Sequence, residues 1–189
     1  MPADFRFAVK VPRAITHDQR LVACDVLLQV FLEEASALGD RMGPLLVQMP
    51  PSLAFDAAIA TDFFHCLREL HQGDVVCEPR HATWFAAEAD ALLVTARVAR
   101  AGADPACVEG AERPGGWRGL PYLRLHGSPR MYYSSYERER LEGYGALLRS
   151  LVSPNGPDRD DARVPWCVFD NTTLGAATGN ALELQRIVG

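Results

Sequence analysis

Apolar and polar residues alternate from Phe5 to Val11, and the alternation stops at Pro12, which predicts a strand carrying Lys10 to its carboxyl end. Thr16 with Gln19 three residues later makes a capping-box pattern. The apolar face that follows, Leu21, Cys24, Val26, Leu27, Leu28, Phe31 and Leu32, predicts a helix ending at Gly39. Leu45 to Met49 reads as a strand blocked by Pro50 and Pro51, and residues 55 to 70 read as a helix with Ile59, Phe63, Phe64 and Leu67 at helical spacing. Val75 to Glu78 is a third strand, after which Thr83 can cap a helix running through Leu92, Leu93 and Val98 to Gly102.

Ala106 to Val108 gives a weak strand signal, and the glycine-rich stretch from Glu109 to Gly119 a loop. In Tyr122 to His126, Leu123 and Leu125 point one way while Tyr122, Arg124 and His126 point the other; Gly127 and Pro129 then stop the strand. Ser134 and Glu137 form a second capping box opening a helix through Tyr136, Leu141, Tyr144 and Leu148 to Leu151. The polar, charged run from Ser153 to Arg163 reads as a connection, Trp166 to Asn171 as a strand, and Thr173 to Ile187 as a terminal helix.

The order is strand then helix, repeated about six times, with strands apolar enough to be covered on both faces, which predicts an α/β fold with a parallel sheet. Nearly every strand ends in a polar residue, and no GxGxxG turn follows any of them. Those two features favour a TIM (β/α) barrel over an open doubly wound sheet. A full barrel takes about 250 residues, so this chain is expected to be a single domain, 1–189, holding about six of eight β/α units.

Composition narrows the function classes. With 189 residues, 48% hydrophobic, a formal net charge of −5 and no basic cluster, the chain lacks the electrostatic footprint of a nucleic-acid binder. No apolar run approaches the roughly 20 residues of a membrane helix, and no basic-then-apolar leader opens the sequence. The expectation is a cytoplasmic protein with no membrane partner. Cys24, Cys66, Cys77, Cys107 and Cys167 are odd in number and form no CxxC pair, so they read as buried thiols rather than disulfides or zinc ligands.

Parallel strands would gather Lys10, Gln48, Glu78, Arg80, Arg124, His126, Asp170 and Asn171 at one rim, where barrel enzymes hold their sites. His126 is the proton carrier suggested by an ordinary pKa near ~6.5; Glu78 can serve as a general base, with Asp170 beside them. Lys10, Arg80 and Arg124 suit an anionic phosphate or carboxylate, with Gln48, His81, Trp84, Tyr136 and Asn171 completing the substrate contacts. The competing reading makes Glu78 with Arg124, and Asp170 with Lys10, ion pairs that simply fill the interior. His126, Glu78 and Asp170 show no metal-ligand spacing, so no metal is expected and the cofactor stays open. Tyr132, Tyr133 and Tyr136 can cover the mouth. The sequon Asn171-Thr172-Thr173 is read as coincidence.

Five segments, in order, resemble the motifs of the YecE-like domain-of-unknown-function family. They are Phe7 to Pro12 with Ile15-Thr16-His17, Gly43 to Pro51, Glu78 to Phe85, Tyr122 to Gly127 and Phe169 to Thr172. The resemblance implies a TIM barrel and brings no reaction with it. The family usually begins with two further strand–helix units, and it tends to place an apolar or aromatic residue where Pro79 stands. The strands at Phe5 and Trp166 would then have bare edges, through which copies of the chain could associate. The function expected is an uncharacterised enzyme using acid–base chemistry on a small polar or anionic molecule; the alternative is a non-catalytic anion-binding module or a degenerate fragment of the barrel.

Overall fold

A computed structural model describes residues 2, 4–151 and 164–189, which fall into two compact units, Met1–Arg100 and Ala101–Gly189. In the first unit, β1 (Phe7–Lys10), β2 (Met42–Gln48), β3 (Val75–Glu78) and β4 (Ala99–Arg100) pair in that order, all parallel. The helices α1 (Asp25–Ser36), α2 (Ala57–Leu70) and α3 (Ala87–Thr95) are the crossovers. Leu45 and Val47 of β2 and Val75 and Cys77 of β3 pack on Leu28, Phe63, Phe64, Leu67 and Leu93 of those helices. Because a strand alternates its faces, Leu46, Gln48, Val76 and Glu78 must point away from the helices.

In the second unit, β5 (Gly102–Asp104), β7 (Tyr122–Leu125) and β8 (Trp166–Phe169) form a parallel sheet in the order β5-β7-β8. A two-residue strand, β6 (Gly115–Gly116), lies between β5 and β7 in the chain, and α4 (Arg138–Leu151) and α5 (Ala176–Val188) complete the unit. Leu123 and Leu125 pack with Leu141, Tyr144, Leu148 and Leu184, joined by Cys167 and Phe169 of the β8 side. The opposite face therefore carries Tyr122, Arg124 and His126 beside Trp166, Val168 and Asp170, and the register pairs Tyr122 with Trp166 and Arg124 with Val168.

The α/β character and parallel pairing follow the sequence pattern; several boundaries do not. The helix expected from Thr16 is broken: Ala14–Asp18 is a π-helical turn closed by the Gln19 amide on the Ala14 carbonyl at 2.9 Å. Arg20, Leu21 and Ala23 then take φ of 53°, 70° and 51°. A helix cannot pass through three left-handed residues, so α1 starts at Asp25. Thr16 instead puts its hydroxyl 2.8 Å from the His17 Nδ1.

Thr83 lies in a 3-10 turn, Ala82–Phe85, that His81 caps. Its hydroxyl accepts the Phe55 amide at 2.7 Å, and α3 begins only at Ala87. Val98 does not belong to that helix, which stops at Thr95; Arg97 at φ 53° turns the chain into β4. The strand expected at Ala106 to Val108 is absent, and β5 forms earlier, at Gly102–Asp104. The Ser134 hydroxyl accepts the Arg130 amide at 3.0 Å, upstream of itself, so the second capping box is also unused. Tyr136 precedes α4. Residues 153 to 163 lie outside the described residues.

Candidate functional site

His126 leaves the end of β7 on the face away from the helices, its backbone amide donating to the Asp104 carbonyl at 2.8 Å. Asp170 follows β8 and donates its own amide to the Leu125 carbonyl at 2.8 Å. The ladder thus brings the two side chains level. Asp170 Oδ2 lies 3.0 Å from His126 Nδ1 and accepts from Arg124 Nη2 at 2.8 Å. An ionised carboxylate only accepts, so Nδ1 carries the proton and the imidazole's basic nitrogen is Nε2. His126 is 0% exposed and Arg124 9%, whereas the Asp170 side chain is 36% exposed. Asp170 is therefore the group of the three most open to solvent.

Tyr136 sits behind this trio rather than in it. Its hydroxyl donates to Asp104 Oδ2 at 2.7 Å and accepts the Gly127 amide at 2.8 Å, so the residue after His126 is tied to the end of β5. Burial, with the Asp104 bond adding to it, pushes the Tyr136 hydroxyl far above its ordinary pKa and keeps it a donor. Arg140 Nη2 reaches Asp104 Oδ1 at 2.5 Å and compensates that carboxylate. Asn171, fully buried, donates Nδ2 to the Ser134 carbonyl and to Asn180 Oδ1, both at 2.9 Å. Its Oδ1 has no hydrogen-bond partner among the described residues. Tyr132, at φ 68°, sets its ring edge-on to the His126 ring with centroids 5.8 Å apart.

In the first unit, Lys10 Nζ donates to Gln48 Oε1 at 3.3 Å across the β1–β2 pair. Glu78, 0% exposed at the end of β3, forms an ion pair with Arg80 Nη2 at 2.8 Å. Pro79 stands just past the strand and does not interrupt the register, since the Met49 amide still reaches the Glu78 carbonyl at 3.0 Å. Trp84 is buried, donates Nε1 to the Leu53 carbonyl at 2.9 Å and meets Phe55 edge-on; it packs in the core. His81 spends Nδ1 on the Thr83 turn. His17 is shifted below its ordinary value by burial first, then by Arg13 and Lys10, so cationic groups crowd the exit of β1.

Among the described residues no group of three or more His, Cys, Asp or Glu side chains is placed to hold a metal ion. A cleft of about 660 Å³ opens between α2 and α3 over Phe64 and Leu92, rimmed by Thr61, His65 and Arg68, and none of the candidate residues lines it. Cys24 and Cys77 are buried as expected, and Cys77 and Cys167 lie in strands. Cys66 and Cys167 are only partly covered, and Cys107 is exposed because the strand expected around it does not form. No helix among the described residues is long and apolar enough to cross a membrane.

Asp104, Arg140 and Asn180 were not legible as parts of this site. Asp104 lies in an alanine- and glycine-rich strand with almost no apolar signal, and Asn180 reads as one polar residue on a helix.

Comparison with known proteins bears on the family and the fold. The chain is similar over its full length to a DUF72 family protein of Thermotoga maritima MSB8, whose crystal structure superposes with a TM-score of 0.80 at 22% identity; the match covers 75% of that protein. A DUF72 family protein of Enterococcus faecalis V583 matches in two crystal structures, with TM-scores of 0.79 and 0.78 at 16% and 17% identity. Those matches cover 99% and 100% of this chain and 75% and 80% of the other. No curated protein matches. The family model described as "Protein of unknown function DUF72" matches residues 1–189, and the chain therefore belongs to the DUF72 family, consistent with its YecE-like motifs.

Proposed function

We propose that this chain is an enzyme working by acid–base chemistry on a small polar or anionic molecule, with His126 as the proton carrier. The observation that supports this reading is the shared Asp170 oxygen. It fixes the imidazole tautomer through Nδ1 and stabilises the imidazolium that forms when Nε2 takes a proton, while Arg124 holds the carboxylate in place. Glu78 is the second proton carrier in this proposal. Lys10, Gln48, Arg80, His81, Trp84, Arg124, Tyr136 and Asn171 are kept as substrate contacts or their supports. Tyr136, Trp84 and His81 fall among the supports, because their polar atoms are already engaged.

The barrel is proposed on the same footing: a single domain with about six strand–helix units of an incomplete (β/α) barrel. The parallel pairing and the likeness to the solved DUF72 proteins support it. A cytoplasmic location is proposed because the cysteines are odd in number and form no CxxC pattern, which does not suggest a disulfide framework.

The complete burial of His126 favours a second reading, a non-catalytic anion-binding module. Turnover of a panel of phosphate monoesters and sugar acids by the wild type, His126→Ala and Asp170→Asn separates the two. The enzyme reading expects both variants to fall by about 10² or more. Turnover unchanged by His126→Ala, or binding without turnover in all three, rejects it.

A further inference from the structure

We infer that Tyr132 is a movable cover over His126, its backbone fixed in a left-handed conformation while its ring is free to turn, and that the acid–base pair works only when this ring swings aside. The inference rests on the reading of His126 as a proton carrier. A group that transfers protons to a substrate has to meet it, and His126 is 0% exposed. Its neighbour Asp170 is more than a third exposed, so solvent comes to within one hydrogen bond of the imidazole. The Tyr132 ring stands edge-on to the imidazole, with centroids 5.8 Å apart and planes at 87°.

Tyr132 itself is an unusual residue for its backbone. At φ 68° a bulky side chain sits in the region that glycine, asparagine and aspartate occupy most readily. The conformation is held from both sides: its amide donates to the His126 carbonyl at 2.5 Å, and its carbonyl accepts the Thr173 amide at 3.1 Å. The residue is nevertheless 40% exposed, so core burial does not explain the choice of tyrosine there. A fixed backbone carrying a part-exposed side chain against a buried histidine is the arrangement of a ring that can turn while its anchor stays put. Its bonds anchor the backbone, and rotation about the side-chain torsions alone uncovers the imidazole.

Carbethoxylation by diethyl pyrocarbonate, mapped histidine by histidine by mass spectrometry, tests this on the whole chain. His126 in Tyr132→Gly should react about tenfold faster than in the wild type, a factor that matches loss of one ring contact. Tyr132→Phe, which keeps the ring, should react like the wild type. The partly buried His71 serves as the internal standard for global opening. An unchanged His126 rate in Tyr132→Gly, or a rise shared with His71, overturns the inference. Faster modification of His126 combined with His126→Ala turnover equal to wild type would leave the cover standing and reject the proton-carrier reading instead.

Discussion

The Tyr136 hydroxyl lies 2.7 Å from Asp104 Oδ2 and makes the end of β5 the anchor of the residue that follows His126. Removing the hydroxyl leaves two buried groups unsatisfied, the carboxylate oxygen and the Gly127 amide. Tyr136→Phe should therefore cost about 2 kcal/mol in urea unfolding, more than a typical neutral hydrogen bond. A cost below about 0.5 kcal/mol would show that the tie is dispensable.

Gly127 tests the same corner sterically. At φ 94°, a Cβ there would lie 2.8 Å from the Ser134 carbonyl oxygen and 3.1 Å from Asn171 Cβ. Neither neighbour is a flexible side-chain tip. Gly127→Ala should lower stability by about 2 kcal/mol and the melting temperature by roughly 4–8 °C.

Arg68 closes the far ends of α2 and α3. Its Nε donates to the Ala96 carbonyl at 2.9 Å, and its two Nη atoms reach the Gly73 and Arg97 carbonyls, each at 2.6 Å. A lysine has one point charge and cannot span three carbonyls. Arg68→Lys should cost about 2 kcal/mol, measurable by chemical denaturation, and an unaffected midpoint would count against the clamp.

Stability should fall at both ends of the pH scale. Burial first, then Arg68, pushes His71 below its ordinary value of 6.5. The fold therefore favours the neutral ring, and its stability is whole above pH 6.5 and declines as pH drops below it. Tyr144 is pushed up to about 12 by burial and Cys167 likewise to about 12, against ordinary values of 10.0 and 9.0. These groups are neutral in the fold and ionise sooner once unfolded. Their contribution is whole below about pH 9 and lost as pH rises toward 12. His71→Gln should flatten the acid limb of a melting-temperature profile and leave the alkaline limb alone.

β1 and β8 each end their sheet's strand order, and β8 is only half-buried along its whole length while the adjoining β7 is fully covered. An edge with unpaired backbone groups recruits another strand. Sedimentation should show self-association that grows with concentration; a monomer that stays compact and binds no hydrophobic dye at high concentration would contradict this.

How far the sequence carried the fold depended on the strength of each element's own signal. Val75 to Glu78 was legible to the residue and the strand from Tyr122 to within one residue of its end, because both faces of each strand are buried and proline or glycine ends each run. The alternation within Tyr122 to His126 also placed Arg124 and His126 on the face away from the helices. The capping boxes failed for a different reason: Thr16 donates to the Pro12 carbonyl and Ser134 accepts the Arg130 amide, both upstream of their supposed helices, a competition that local pattern does not reveal. β5 was missed because Gly102 and Ala103 carry little side chain to read, although backbone pairing with β7 makes them a strand. Glu78 pairs with Arg80 two residues on, whereas Asp170 pairs with Arg124 of the neighbouring strand, a partner set by register rather than residue type.

Asn180 has one further consequence. Its amide bonds Ser135, the Tyr136 backbone and Asn171, side chain to side chain or backbone, across as many as 45 positions of sequence. The segment that carries Tyr132 and Tyr136 is thus latched by a residue of α5. During synthesis that segment cannot settle until α5 has emerged, and cutting the chain before position 180 would release the latch while cutting after α5 would not.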